Sequence, residues 1–293
     1  MSAPRFIAAL TRRLVMPAAL AATFGAAAHA EDLNGLLPPE VQSAKVINLV
    51  TDARWPPFVF MGSDGKTPEG FEIDILRAIA DKLGVEIKST SVEFAGLIPG
   101  VQSGRYDVAM LAIAETPERR KTLSFVDYSY STMAAFTLSG NATTKGGADD
   151  LCGATVGVQS GTTHVDFLSK SLTDHCKSIG KEAPKKLEFA TADAVYLSLY
   201  SERADYIISS AAIAGDIIPK APRPVRIVTD ALFPKELNGI VYLKDRTKLG
   251  EALLAGLKAV HADGTYDKIM KKWNVEALSL DTPAINLGET QGN

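Results

Sequence analysis

The sequence predicts an α/β protein made of two lobes, each built around a mostly parallel β-sheet. Between residues 46 and 113, short apolar segments that suit strands alternate with segments whose apolar residues recur every three to four positions, as in helices. The same alternation resumes after Cys152 and continues to residue 209. Strands that alternate with helices in this way form mostly parallel sheets covered on both faces. Two such series fit two Rossmann-like lobes, the alternative at this chain length being one large domain.

In the first series, the clearest element is a helix over residues 71–83. Apolar side chains recur four positions apart from Phe71 to Leu83, and Gly84 follows as a helix stop. The other elements rest on shorter apolar runs. They are strands over residues 46–50, 85–89 and 107–113, and a helix over residues 95–103.

The second series supplies the second lobe and the return to the first. Its predicted strands are residues 154–158, 187–190 and 205–209, and its predicted helices are residues 162–172 and 192–201. Residues 103–107 and 201–205 share the pattern Ser-x-Arg-x-Asp, and each ends a predicted helix and opens a strand, which fits two lobes on one plan. The connecting segments are a Gly-, Thr- and Asp-rich loop over residues 139–150 after a first crossing strand, a second crossing strand over residues 236–243, and helices over residues 247–273 broken near Gly264.

The N-terminus has the features of a secretory signal peptide. Arg12 and Arg13 precede an apolar run, and Ala28-His29-Ala30 supplies a cleavage motif. We therefore expect cleavage after Ala30, a periplasmic location and a soluble mature chain, since no later stretch has 18 uninterrupted apolar residues. The expected organisation is a signal peptide over residues 1–30, a linker over 31–43, lobe 1 over 44–137, lobe 2 over 138–235, the return to lobe 1 over 236–280 and a tail over 281–293.

The composition of the exported part limits its partners. Once the three arginines of residues 1–30 are removed, 28 basic residues remain against 34 acidic ones, a net charge of −6 that does not favour nucleic-acid binding. Both cysteines, Cys152 and Cys176, lie in this part. In an oxidising compartment they most simply form a disulfide, the alternative being two buried thiols. Closing this loop would stabilise the fold by roughly 3.5 kcal/mol.

The segment with the most chemical content is residues 116–119 (Thr-Pro-Glu-Arg), directly after an apolar strand-like run. Thr116 suits a helix N-cap and Pro117 the first helical position. Arg119 would then lie in a first helical turn, where free N–H groups already favour an anion and a guanidinium adds a fork that matches a carboxylate. The segment predicts a carboxylate pocket at the end of a strand, the alternative being an ordinary helix start with a solvated arginine.

Ligands of open α/β sheets bind at the carboxyl ends of strands, and three other strand ends qualify. Asp52 and Trp55 precede a rigid Pro-Pro pair, which could present the indole as an apolar wall; a core tryptophan is the alternative. Phe94 could supply a facing aromatic ring. Residues 159–163 (Gln-Ser-Gly-Thr-Thr) form a turn whose free N–H groups face outward at a predicted helix start.

Motifs of catalysis and of metal binding are not found in the sequence. Residues 65–67 (Gly-Lys-Thr) lack the upstream glycine of a phosphate-binding loop, and no G-x-S-x-G surrounds Ser160. His164, His175 and His261 do not have zinc-ligand spacing, and we interpret each as an ordinary surface or packed histidine. We therefore expect a protein that is not an enzyme and that needs no cofactor or metal.

Several motifs, in order, carry a resemblance to a known family. They include residues 51–58 with Trp-Pro-Pro-Phe, 70–74 (Gly-Phe-Glu-Ile-Asp), 96–99 (Gly-Leu-Ile-Pro), 116–119, 156–163 and 262–269, followed by Lys272-Trp273. With these motifs the mature chain resembles the family 3 periplasmic solute-binding proteins of ABC transporters for polar amino acids. The resemblance implies a type II, Venus-flytrap fold: two lobes, two hinge strands and a cleft that closes on a small ligand. It also implies a permease of the inner membrane as partner, and we expect a monomer.

The resemblance also assigns roles to residues. In the family the arginine of this motif clamps the ligand's α-carboxylate, which points to Arg119, while the aromatic before Pro-Pro stacks on the ligand, which points to Trp55 with Phe94 opposite. Further expected contacts come from both lobes. They are Asp52, Ala112 and Ala114 on the first lobe and Gln159, Thr162, Thr163 and Ser210 on the second.

Two positions depart from the family pattern. Ala114 stands where the family usually has Ser or Thr, and Ser210 stands where it usually has Asp; both usual residues hold the α-ammonium group. The first hypothesis remains an amino acid, its ammonium held by Glu115, Asp52 or Trp55. The alternatives are a carboxylate that lacks an α-ammonium group, such as a keto or other organic acid, a dehydratase-like periplasmic enzyme, or a module that presents its ligand to a sensor.

Overall fold

The computed structural model describes Met1, residues 33–141 and residues 146–290 of the chain. The expected signal peptide therefore lies outside the described residues except for Met1. Within the described part, no helix is both long and apolar enough to cross a membrane.

The described residues form twelve strands and ten helices. The strands are β1 (Val46–Thr51), β2 (Arg54–Trp55), β3 (Val59–Met61), β4 (Pro68–Glu69), β5 (Glu86–Ser91), β6 (Val108–Ala109), β7 (Leu123–Leu138), β8 (Thr155–Gln159), β9 (Lys185–Phe189), β10 (Tyr206–Ser210), β11 (Val225–Val228) and β12 (Lys235–Leu243). The helices are α1 (Pro39–Ala44), α2 (Phe71–Leu83), α3 (Leu97–Gln102), α4 (Thr163–Phe167), α5 (Thr173–Ser178), α6 (Ala192–Tyr200), α7 (Ala214–Lys220), α8 (Thr247–Ala262), α9 (Thr265–Lys272) and α10 (Leu287–Thr290).

The main sheet consists of two parallel halves joined by two long antiparallel strands. Its order is β5-β1-β6-β12-β7-β10-β8-β9, and β11 also pairs with β7. Pairing is parallel among β5, β1 and β6, and again among β10, β8 and β9. The 16-residue β7 pairs with β12 up to Thr132 and with β10 and β11 from Met133 onward. This arrangement confirms the two-lobe α/β fold with two hinge strands, β7 and β12.

The buried apolar side chains form two clusters, and the larger one continues from the first half of the sheet into the second, where it includes Val195 and Ile207. The first half is covered by α2 and α8, with side chains such as Phe71 and Leu253 fully buried. A separate cluster that includes Val156, Leu172 and Cys176 lies in the second half. The predicted disulfide is confirmed, since Cys152 and Cys176 are bonded with 5.5 Å between their Cα atoms.

The structure corrects three of the predicted elements near the cleft. No α-helix begins at Thr116: a turn leads into a single 3-10 turn, Arg119–Lys121, because the chain enters β7 two residues later. The predicted strand over 107–113 is only Val108–Ala109, and Ala112 has a left-handed φ of 40° that ends any strand geometry. The helix predicted over 162–172 runs on to Ser178 through a π-helical turn, Leu168–Leu172.

The first and last segments of the described chain after Met1 pack on the first half of the sheet. The expected linker contains a 3-10 turn, Leu33–Leu36, and α1, and its Leu37 and Val41 are buried. Residues 279–286 run along β7, with bridges Ser129 to Ser279 and Val126 to Ile285. Neither segment is therefore a loose extension of the fold.

Candidate functional site

A small cavity of about 20 Å³ lies between the two halves of the sheet, beside the hinge strands. The loops after β6 and β8 and the end of β10 contribute to it, as expected for the carboxyl ends of strands. Eight of the ten predicted site residues line the cavity, together with three that were not predicted. The lining residues are Trp55, Phe94, Ala112, Ala114, Arg119, Thr162, Thr163 and Ser210, joined by Ser131, His164 and Glu236.

Arg119 reaches the cavity from the turn that precedes β7. The Thr116 hydroxyl accepts the backbone N–H of Arg119 at 3.2 Å, so the predicted capping contact forms although the helix does not. The guanidinium donates to the carbonyl of Ala114 at 2.8 Å and to that of Gly161 at 3.0 Å. Burial lowers the pKa of Arg119 from its usual value, opposed by the charges of Glu236 and Asp166. Within the described chain Arg119 makes no ion pair, so its charge remains available to an anionic ligand.

Trp55 and Phe94 form an aromatic wall, and His164 extends it from the second half of the sheet. The Trp55 ring lies 6.0 Å from Phe94 and stacks on His164 at 6.2 Å, measured between ring centroids. Burial, reinforced by the nearby charge of Arg119, lowers the pKa of His164 to about 4, so this ring is neutral at physiological pH. The interpretation of His164 as a packed histidine agrees with its burial, but the sequence did not show that it borders the cleft.

Asp52 and Gln159 lie behind this wall rather than on the cavity. Asp52 is fully buried; its carboxylate accepts hydrogen bonds from Arg54 Nε at 2.6 Å and from the Phe94 backbone at 3.1 Å. Gln159 Nε2 donates to the same carboxylate at 3.3 Å, and its Oε1 accepts the Trp55 indole N–H at 2.9 Å. These two residues therefore orient the aromatic wall.

On the opposite side, hydroxyl groups from two turns face the cavity. Thr162 donates to the Gln159 carbonyl at 2.7 Å, and the Ser210 hydroxyl accepts the backbone N–H of Ala212 at 3.3 Å. Thr163 donates to Glu236 Oε2 at 3.0 Å. Because Thr163 follows β8 whereas Glu236 begins β12, this bond ties the second half of the sheet to a hinge strand.

Glu236 is the functional candidate that sequence reasoning missed. It lies opposite Ser131 in the register of β12 with β7. Burial raises its pKa above the usual value, while the Thr163 hydrogen bond and the Arg119 charge act in the other direction. Alternate residues of a strand lie on the same face, so Glu236 and Asn238 share one face of this crossing strand. Two polar residues on one face were the sequence signal that this face does not pack in an apolar core.

Glu115, one of the proposed ammonium partners, is committed elsewhere. Its side chain is fully buried and pairs with Arg120 Nη1 at 2.5 Å. Its other oxygen accepts the backbone N–H of Gly288 at 2.9 Å. Glu115 therefore holds the C-terminal tail, and the proposal that it binds the ligand's ammonium group is wrong for this arrangement of the chain.

The fold and the cavity together define a class of protein with two α/β lobes, two connecting hinge strands and a small cavity between the lobes. The model of the bacterial extracellular solute-binding proteins, family 3, matches residues 47–276. The chain belongs to that family, as the motifs indicated.

Curated relatives match most of the chain. The arginine-binding protein ArgT of Corynebacterium glutamicum is 25% identical over 255 residues, covering 87% of this chain and 83% of the relative. The ABC transporter arginine-binding protein 1 of Escherichia coli K12 is 29% identical over 266 residues, covering 89% and 98%. The L-cystine-binding protein TcyJ of the same organism is 28% identical, covering 88% and 92%.

Solved structures show the same fold. An ancestral arginine-binding protein bound to arginine is 33% identical, with a TM-score of 0.70, covering 78% of this chain and 98% of its own. The ancestral amino acid-binding protein AncCDT-1, a precursor of cyclohexadienyl dehydratase, is 28% identical with a TM-score of 0.70, covering 80% and 97%.

Proposed function

We propose that this protein is the periplasmic binding component of an ABC importer and that it captures an amino acid by closing its two lobes. The relatives are named as binding proteins for arginine and cystine, and one of them is named as part of an ABC transporter. The family membership supports a permease of the inner membrane as the partner. We further propose that the exported chain acts as a monomer and binds its solute without chemical turnover.

The observation that carries this proposal is the enclosed guanidinium of Arg119. Within the described chain, its guanidinium donates to two neutral carbonyl oxygens and forms no ion pair with a carboxylate. A buried cation without an anion is costly, and a ligand carboxylate would remove that cost. The aromatic wall of Trp55 and Phe94 next to it suits the aliphatic part of an amino acid.

The cavity also indicates that binding requires movement. A volume of about 20 Å³ is enough for roughly one or two water molecules but not for an amino acid. Around the cavity, hydrogen bonds connect the second half of the sheet to the first half, through Trp55 to Gln159, Gln159 to Asp52 and Arg119 to Gly161, and to hinge strand β12, through Thr163 to Glu236. A solute must therefore enter an opened cleft and displace some of these contacts when the lobes close again.

The proposal is tested by calorimetry on the exported chain with the twenty L-amino acids and with matched keto and organic acids. Charge-assisted hydrogen bonds contribute roughly 1.5–3 kcal/mol, so Arg119→Ala should weaken the tightest-binding amino acid roughly 10- to 150-fold. Arg105→Ala removes an exposed arginine and serves as the control. Unchanged affinity in Arg119→Ala, or no binding by any member of the panel to the wild-type protein, would contradict the proposal.

A further inference from the structure

We propose that Glu236, on hinge strand β12, binds the α-ammonium group of the solute, replacing the two partners that Ala114 and Ser210 do not provide. This inference rests on the proposed function, because it assigns the second charged group of an amino acid whose carboxylate Arg119 holds. It places the recognition of the ammonium group on the hinge itself rather than on the second half of the sheet.

The first argument is the pairing of charges inside the cavity. Arg119 and Glu236 both line it, and each influences the pKa of the other through its charge. Yet the described chain shows no ion pair between them, and the Glu236 carboxylate accepts a hydrogen bond from the Thr163 hydroxyl. One cation and one anion thus face a shared space without forming an ion pair. A zwitterion, with its carboxylate on Arg119 and its ammonium on Glu236, satisfies both.

The second argument comes from the acceptors left on Glu236. A carboxylate offers about four lone-pair sites, and Thr163 occupies one of them. An ammonium group carries three donors in a compact charge, which suits such a partly used acceptor. Ser131 lies directly opposite on β7, where its hydroxyl donates to Asn238 Oδ1 at 3.2 Å and keeps lone pairs free to accept a second ammonium proton.

The other candidates for this role are already satisfied or are unsuitable. The carboxylate of Asp52 is neutralised by Arg54 and lies behind the aromatic wall. Glu115 is paired with Arg120 under the C-terminal tail. Ser210 offers a neutral hydroxyl that caps the following turn. Among the residues that line the cavity, Glu236 is the acidic one.

A ligand that lacks the α-ammonium group would leave Glu236 without a cationic partner. A keto or organic acid of one charge would satisfy Arg119 and leave the Glu236 carboxylate enclosed without a cation. That arrangement is unfavourable unless the carboxyl takes up a proton. The cavity therefore discriminates between an amino acid and the same molecule without its amine.

The test compares matched pairs of probes that differ only in the α-amine. L-Glutamine is compared with 5-amino-5-oxopentanoate and L-arginine with 5-guanidinopentanoate, followed by the other amino acids and their deamino counterparts. Calorimetry gives the affinity ratio within each pair for the wild type, Glu236→Gln, Glu236→Asp and the control Glu118→Gln, which removes an exposed carboxylate near Arg119. Glu236→Gln keeps the shape of the side chain and a hydrogen bond to Thr163.

We expect the wild type to prefer the amino acid at least tenfold, and Glu236→Gln to reduce this ratio at least tenfold while leaving the affinity for the deamino acid unchanged or improved. Glu236→Asp should keep part of the preference, and Glu118→Gln all of it. A ratio that Glu236→Gln does not change, or a wild type that prefers the deamino acid, overturns the role of Glu236 while leaving carboxylate capture intact. If neither member of any pair binds, the proposed function fails and the role of Glu236 fails with it.

Discussion

Arg119 and Arg120 are neighbours in the sequence, yet they lie in two regions that differ in whether the arginine forms an ion pair. Arg119 enters the cleft, where its guanidinium meets two neutral carbonyl groups and a carboxylate, Glu236, with which it does not pair. Arg120 turns the other way and forms a buried ion pair with Glu115. Of these two adjacent residues, Arg119 therefore has no ion-pair partner in the described chain, whereas the charge of Arg120 is neutralised by Glu115.

The region around Arg120 is a closed network under the C-terminal tail. Glu115 and Asp127 are buried there, and they accept the backbone N–H groups of Gly288 and Leu287. Burial, and then the neighbouring charge of Glu115, raises the pKa of Asp127 to about 9. At neutral pH Asp127 is therefore protonated beside the ion pair of Glu115 and Arg120. The comparison shows that burial of charge alone does not distinguish the two regions, whereas the presence or absence of an ion-pair partner does.

The largest expected effect is a loss of stability in Arg120→Ala, which tests the difference between the two arginines. Removing one partner of a buried ion pair leaves the other uncompensated and costs about 3–5 kcal/mol. Urea unfolding should show this loss, while the affinity for the tightest-binding amino acid stays within about threefold, because Arg120 does not line the cavity. Arg77→Ala, at an exposed position of α2, is the matched control. A stability loss below 1 kcal/mol, or a loss of binding like that of Arg119→Ala, would break the distinction.

The next effect is a pH dependence that Asp127→Asn should remove. A carboxyl whose folded pKa is raised contributes its stability fully below the unfolded value of 3.8, and loses it as the pH rises through about 9. The free energy of unfolding of the wild type should therefore fall relative to that of Asp127→Asn between pH 5 and 8, by at most about 1.4 kcal/mol per pH unit. Urea unfolding at pH 5, 6.5 and 8 measures this, with the exposed Asp281→Asn as control. Parallel profiles would show that Asp127 is ionised in the folded state.

The smallest effect concerns Thr163, whose hydroxyl donates a hydrogen bond to Glu236. Thr163→Val removes that bond and keeps the shape, so Glu236 loses support worth about 0.5–1.5 kcal/mol. Binding of L-glutamine or L-arginine should weaken roughly two- to tenfold, whereas Thr247→Val, at the exposed start of α8, should have no effect. Full wild-type affinity in Thr163→Val would mean that this bond does not support the ligand-bound cleft.

Much of the fold could be predicted because local patterns decide it. Helix α2 has the predicted bounds, since its apolar spacing places one face on the sheet and Gly84 ends it in the left-handed conformation. Arg119 was found from a helix-start motif that does not start a helix. There the long pairing of β7 with β12 and β10 overrides the local preference, and no window of a few residues reports on such distant pairing.

Site residues could be predicted where the residue type itself suggests a role in binding. They were missed where the role depends on which way the side chain points. Trp55, Phe94 and Arg119 border the cavity as expected, but Asp52 does not, because Arg54 and Gln159 draw its carboxylate behind the wall. Glu236 was recognised as part of a crossing strand. Whether its side chain faces the cavity or the solvent depends on the register with β7, and that register is set by 16 residues that lie a hundred positions earlier.

The path of residues 279–286 has a further consequence for how these molecules behave when concentrated. The tail bridges β7 at Val126 and Ser129, and the backbone N–H groups of Asp127 and Asn286 bond across the junction. A strand edge left open is a template for another chain, and such edges lead to aggregation. Because the tail occupies this edge, it prevents edge-to-edge association of two molecules. A chain shortened to end before Ser279 would expose the edge of β7 and would be prone to self-association even with its cleft intact.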